Sequence, residues 1–114
     1  MDSKLSTTDL QQFIGTTQWY RYYNILLTDG VKYFADEAGT YWFLDIVFTE
    51  IAPHQNKEPF ITVELTVKDG SAVIKSHDGD YNYFHEKKIP FTDCPEGEWK
   101  FFLTDLVLMV PSEY

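Results

Sequence analysis

The sequence predicts an α+β domain: an antiparallel sheet of about five strands with two or three helices covering one face. Two Asp-Gly pairs punctuate alternating segments in the middle of the chain, stretches with helix caps and stops precede them, and two further apolar runs close the C-terminus.

At the start, Thr7 and Asp9 offer caps, Leu10, Phe13 and Ile14 share a helical face, and Gly15 can stop the turn, so a short first helix is expected. From Gln18 to Leu27 the run is aromatic and rich in strand formers, and it ends at Thr28-Asp29-Gly30, a turn signal. One strand is predicted there. Val31 to Ala38 then reads as a short helix stopped by Gly39, and Thr40 as the cap of a second helix running to about Ile51, ahead of the Ala52-Pro53 break. The segment Tyr41 to Phe48 is apolar nearly all round, so periodicity alone leaves a buried strand open beside the buried helix. Residues 53–59 read as a polar loop.

Asp-Gly is a preferred two-residue hairpin turn because both positions tolerate positive φ. With Asp69-Gly70 as the turn, Lys68 faces Ser71, Val67 faces Ala72, Leu65 faces Ile74, Glu64 faces Lys75 and Val63 faces Ser76. With Asp78-Gly79 as the next, Ile74 faces Tyr83, Lys75 faces Asn82, Ser76 faces Tyr81 and Ala72 faces His85. Together the two turns place Ile61, Val63, Leu65, Val67, Ala72, Ile74, Tyr81 and Tyr83 on one oily face. The other receives Thr62, Glu64, Thr66, Lys75, His77, Asn82 and Glu86. Trp99 to Leu103 and Leu106 to Val110 form a last hairpin around Thr104-Asp105, ended by Pro111.

The 114 residues suit one domain, spanning 1–114, able to bury a core without disulfides or metal. The lone Cys94 and the lack of a signal-like stretch point to the cytoplasm, and no apolar run is long enough for a membrane span. The net charge is −9 and only Lys87-Lys88 forms an adjacent basic pair, which disfavours nucleic acid as a direct partner. Residues 29–58 hold six acids and two bases, and residues 93–114 hold five acids and one base, so these two segments carry −8 of the −9.

Catalytic motifs are absent from the text: there is no phosphate-cradling loop, nucleophile elbow or Walker sequence. Asp78, Asp80 and Asn82 have the spacing of early calcium ligands, but Tyr83 and Ile89 stand where that loop needs Gly and Glu, so a hairpin turn is the expectation. His54, His77 and His85 lack helical zinc spacing, and no metal or other cofactor is expected. Cys94, before Pro95, reads as structural rather than as a thiol nucleophile. Asp45, in its apolar run, needs a donor such as Arg21, a tyrosine hydroxyl or a helix N-terminus, and a structural bond is the expected role. The tyrosines at 20, 22, 23, 33 and 41 cannot all be interior, and surface tyrosine beside carboxylates has the composition of protein-binding surfaces.

The segment 27–46, LTDGVKYFADEAGTYWFLDI, and the ending Leu108-Met109-Val110-Pro111-Ser112-Glu113-Tyr114 resemble a family of small bacterial and phage proteins known only as a domain of unknown function. The resemblance covers nearly the whole chain and implies a cytosolic protein of bacteria or mobile elements, in a bacterial host cell. No activity, cofactor or catalytic residue comes with it.

The expected function is a non-enzymatic module whose acidic, tyrosine-rich surface docks on a basic partner protein, since a charge of −9 on so small a domain can steer association. Contact candidates are Asp29, Asp36, Glu37, Glu50, Glu58, Glu96 and Glu98. Combined with the phage-like resemblance, an inhibitor of a host-defence RNA-guided nuclease, an anti-CRISPR role, is a concrete version. The alternatives are a small enzyme or ligand-binding domain with a pocket lined by Tyr20, Arg21, Trp42, Asp45 and His85, and a homodimer whose exposed aromatics bury one another.

Overall fold

The computed structural model describes residues 7–13, 15 and 18–114. It is a mixed α+β fold with a seven-stranded sheet, and helices pack on one face of that sheet. The strands are β1 (Tyr20–Tyr22), β2 (Ile25–Leu27), β3 (Phe60–Lys68), β4 (Ser71–His77), β5 (Tyr83–Ile89), β6 (Gly97–Thr104) and β7 (Val107–Met109). Their spatial order is β1-β2-β7-β6-β3-β4-β5, and all neighbours are antiparallel except β2 and β7, which run parallel. The expected five strands thus become seven. One addition arises because the single strand expected over residues 18–27 is a hairpin, turned at Tyr23-Asn24 with Tyr23 in the left-handed region (φ 57°). No glycine announces this turn.

Thr7–Gln12 forms a 3-10 helix rather than the expected α-helix, and Leu10 is its buried anchor. Ile14, the third apolar position of that reading, lies outside the described residues. Helix α1 (Asp29–Ala38) starts two residues earlier than expected, so Asp29-Gly30 opens a helix instead of making a turn. It stops where expected, with Gly39 at φ 64°. Helix α2 (Tyr41–Ile46) continues without a break as a π-helical stretch (Val47–Ile51), which ends at the anticipated position. The Thr49 hydroxyl donates to the Asp45 carbonyl four residues back at 2.6 Å, a back-bond that competes with the regular ladder where the π segment lies. The expected loop 53–59 is mostly a 3-10 helix, Ala52–Asn56.

Pairing of β3 with β4 is the expected register throughout, from Lys68↔Ser71 to Val63↔Ser76. Asp69 (φ 54°) and Gly70 (φ 77°) take the two left-handed positions of the turn. Replacing Gly70 by alanine puts a Cβ in that region and is expected to lower stability by about 1–2 kcal/mol in urea denaturation. The far side of β4 differs from expectation. Ile74 pairs with Lys87, Lys75 with Glu86 and Ser76 with His85, a slip of four residues, and a bulge at Ser76/His77 then sets His77 beside Tyr83.

Side chains explain the longer connection. Nδ1 of His77 accepts the Gly79 and Tyr81 amides at 3.0 and 3.3 Å. Asp78 Oδ1 accepts the Asp80 and Asn82 amides, and Oδ2 accepts the Asn82 side chain. This local bonding outcompetes the two-residue turn. The slip is even, so inward and outward positions of β4 survive it. Tyr81 and Tyr83, however, leave the oily face: Tyr81 sits in the loop and Tyr83 turns outward beside Glu64.

The inward faces of β3, β4 and β6 supply Ile61, Val63, Leu65, Ala72, Ile74, Trp99, Phe101 and Leu103, all buried. Helical Phe34 and Phe43 close onto them, with ring centroids 5.1 Å from Phe101 in each case. The helices thereby fill one side of the sheet, while the other carries Thr66, Lys75, Glu86, Glu98 and Lys100 to solvent.

Candidate functional site

Among the described residues, an exposed aromatic group forms where the β1–β2 hairpin meets α2 and its π-helical extension. Tyr23 lies flat on Phe48 at 4.4 Å and 11°, and Tyr22 meets Tyr23 and Phe48 edge-on. Tyr41 adjoins Tyr22 at 5.9 Å. Tyr23 is 67% exposed and Tyr41 37%. Holding a bulky residue at positive φ costs free energy, and the stacking on Phe48 offsets it. The hairpin thereby presents the outer face of the Tyr23 ring.

Two carboxylates border the group. The Tyr22 hydroxyl donates to Asp45 at 2.5 Å, and the Tyr41 hydroxyl donates to Asp36, which also pairs with Lys32 at 2.7 Å. Burial first, and then the bond to Asp45, push the Tyr22 phenol well above its ordinary range. The bond to Asp36 raises Tyr41, and the Lys32 ammonium holds Asp36 below the usual carboxylate range. Both phenols therefore stay protonated donors at neutral pH. Asp45 meets a tyrosine hydroxyl, one of the donors expected for it. Its carboxylate is exposed rather than buried, because residue 45 lies on the outer side of α2 while Phe43 and Leu44 point inward.

The seven acids singled out in the sequence are dispersed. Asp29 and Glu37 sit at opposite ends of α1, with Asp36 beside Glu37. Glu50, in the π-helical stretch, pairs with His85 at 2.9 Å and Lys87 at 3.1 Å, and those two partners, His85 first, hold its carboxyl below the usual range. Glu58 precedes β3, and Glu96 accepts the Asp69 amide at 2.6 Å. Glu98 stands on the open face of the sheet. The hairpin and the helices thus bring Asp36 and Asp45 to the tyrosines, a combination that includes only one of the seven.

Among the five residues of the alternative pocket, Tyr20 donates to Gln18 and lies under Lys32, Arg21 reaches the Tyr23 carbonyl, and Trp42 is half-buried. Asp45 and His85 engage Tyr22 and Glu50 respectively. An open cleft of about 580 Å³ is lined by other residues, among them Asn24, Pro53, Gln55, Asn56 and Leu106.

The comparisons bear on the chain as a whole. The model of a family of unknown function, DUF6876, matches residues 4–114. The chain belongs to this family. No curated protein and no solved structure matches it. Membership in DUF6876 covers both segments on which the family resemblance was noted, and the fold joins them. Glu113 of the C-terminal segment accepts the Thr28 hydroxyl at 2.5 Å and the Gly30 amide at 3.0 Å, at the mouth of α1.

Burial pushes the Cys94 thiol up to about 12, so it stays protonated and unreactive at neutral pH. Among the described residues no group of three or more His, Cys, Asp and Glu side chains is placed to hold a metal ion, and no helix is long and apolar enough to cross a membrane. Sequence reasoning overlooked Phe48 as a site residue. Its signal was available: an aromatic seven residues beyond Tyr41 lies on the same side of a continuous helix.

Proposed function

We propose that this member of DUF6876 is a non-enzymatic binding module that docks on a basic protein surface through Tyr22, Tyr23, Tyr41 and Phe48, with Asp36 and Asp45 at the border. The observation that carries this reading is the Tyr23 ring, two-thirds exposed and backed by Phe48, next to hydroxyls already committed to carboxylates. Rigid, pre-packed tyrosines lose little side-chain freedom on binding. An arginine or lysine meeting such a ring gains a cation–π contact, and Asp45 supplies the counter-charge. The net charge of −9 adds steering toward a positive surface. Surfaces that bind nucleic-acid backbones, such as those of RNA-guided nucleases, are the class of partner this charge suits.

Immobilised protein incubated with a bacterial lysate tests the reading. Wild type is expected to retain basic proteins at low ionic strength and release them as salt rises from about 50 to about 200 mM. The Tyr23→Ala/Asp45→Asn variant is expected to retain at least roughly tenfold less, with circular dichroism and a cooperative thermal transition showing that it keeps the fold despite the lost stacking on Phe48. Equal retention by the variant, or capture of nothing basic, overturns it.

A further inference from the structure

The open face of the sheet carries charges in an order that the −9 total conceals. Cross-strand pairing aligns Lys100 (β6), Glu64 (β3), Lys75 (β4) and Glu86 (β5) in one row. The next row runs Glu98, Thr66, Val73 and Lys88 over the same four strands, and on the other side a third runs Phe102, Thr62, His77 and Tyr83. Adjacent unlike charges in the first row stabilise the sheet itself. These rows have a second property: about the line between β3 and β4, each of their six charges is mirrored by its opposite, whereas Lys68 in the row beyond Thr66 faces the uncharged Ser71. Lys100 mirrors Glu86, Glu64 mirrors Lys75, and Glu98 mirrors Lys88. Phe102 likewise mirrors Tyr83.

We infer that this face is a homodimer interface, with a second copy laid against it about a two-fold axis parallel to the strands between β3 and β4. That operation keeps each row in place and exchanges its ends. Glu98 then meets Lys88 of the second copy, Lys100 meets its Glu86, Glu64 meets its Lys75, and Phe102 meets its Tyr83. Each contact occurs twice.

A second copy fits better than other occupants. Two chains of −9 repel one another over most of their surface, but the six ladder residues sum to zero and are self-complementary. The interleaved glutamates would repel a nucleic-acid backbone. The helices occupy the opposite side, and Tyr114, 74% exposed, packs edge-on against Phe60 and Phe102 at the apolar end of this face. At ordinary strand spacing and rise the face from β7 to β5 measures about 19 Å by about 27 Å. Two copies together cover roughly 1,000 Å², the lower end for a specific interface, so association in the micromolar range is expected.

Glu98 and Lys88 give the cleanest test, because their neighbours in the row are the uncharged Thr66 and Val73, and two strands separate them within one chain. Sedimentation equilibrium over about 1–100 µM should show a monomer–dimer equilibrium for wild type. E98K and K88E should each weaken it at least about tenfold, and the double variant E98K/K88E should restore it, with unchanged circular dichroism in all four proteins. A wild type that stays monomeric, single variants without effect, or a double variant no tighter than the singles each overturn the inference. Neither variant touches the tyrosine surface, so the outcome is independent of the proposed docking function.

Discussion

Phe34→Ala is expected to lower the unfolding free energy by about 3–5 kcal/mol, a large part of what a domain of this size possesses. Phe34 is fully buried and stands at the centre of an aromatic group, 4.8 Å from Trp99, 5.1 Å from Phe101 and 6.2 Å, edge-on, from Phe43. It is the ring through which α1 grips β6 and α2 together. Its removal leaves a cavity walled by three rigid rings on two elements, β6 and α2, which collapse poorly, so the cost falls toward the upper end of the range. Differential scanning calorimetry should show the midpoint falling by roughly 15 °C, and Phe34→Leu should recover at least half of the loss. A fall of only a few degrees for the alanine variant would mean that the helices are held to the sheet by something else.

Glu113→Ala is expected to cost about 2–4 kcal/mol although the residue is next to last in the sequence. Its Oε1 accepts the Thr28 hydroxyl and the Val110 amide, and its Oε2 accepts the Gly30 amide. Thr28 and Gly30 are buried, so truncation leaves donors without partners at the start of α1. The same carboxylate explains Gly30: a Cβ there would come 2.8 Å from Glu113 Oε1 and 2.9 Å from Val110 Cγ2. Gly30→Ala should therefore destabilise by about 1–3 kcal/mol despite alanine's better helix propensity. A double-mutant cycle by urea denaturation checks the link, because the Gly30→Ala penalty should shrink when Glu113 is already alanine. Additive losses would contradict it.

How much could be read without the fold varies element by element. The β3–β4 hairpin was legible to the residue because Asp69-Gly70 and the alternation of Val63, Leu65, Val67, Ala72 and Ile74 demand the same register. Gly39 marked the end of α1 for an equally local reason, its left-handed backbone. Asp78-Gly79 looked the same and behaved differently, since the ring nitrogen of His77 and the carboxylate of Asp78 bonded the backbone amides first. The Tyr23-Asn24 turn was hidden because a non-glycine residue occupies the left-handed position there, with Phe48 of a distant segment stacked on it. Tyrosine beside carboxylate was anticipated for the surface, but the particular pairs Tyr22–Asp45 and Tyr41–Asp36 depend on where the hairpin lands against α2.

By itself the amino-acid order determined which positions of β3 and β4 face the core among Ile61, Val63, Leu65, Val67, Ala72 and Ile74, where α1 stops and how β3 turns into β4, all consequences of steric and solvation preferences acting within a few residues. The tertiary structure alone decided which strands are neighbours across the sheet. Only that adjacency places Glu113 at the mouth of α1, Tyr23 on Phe48, and the lysines and glutamates of four strands in mirrored rows. Such placements join residues far apart along the chain, and they are settled by the packing of the whole core.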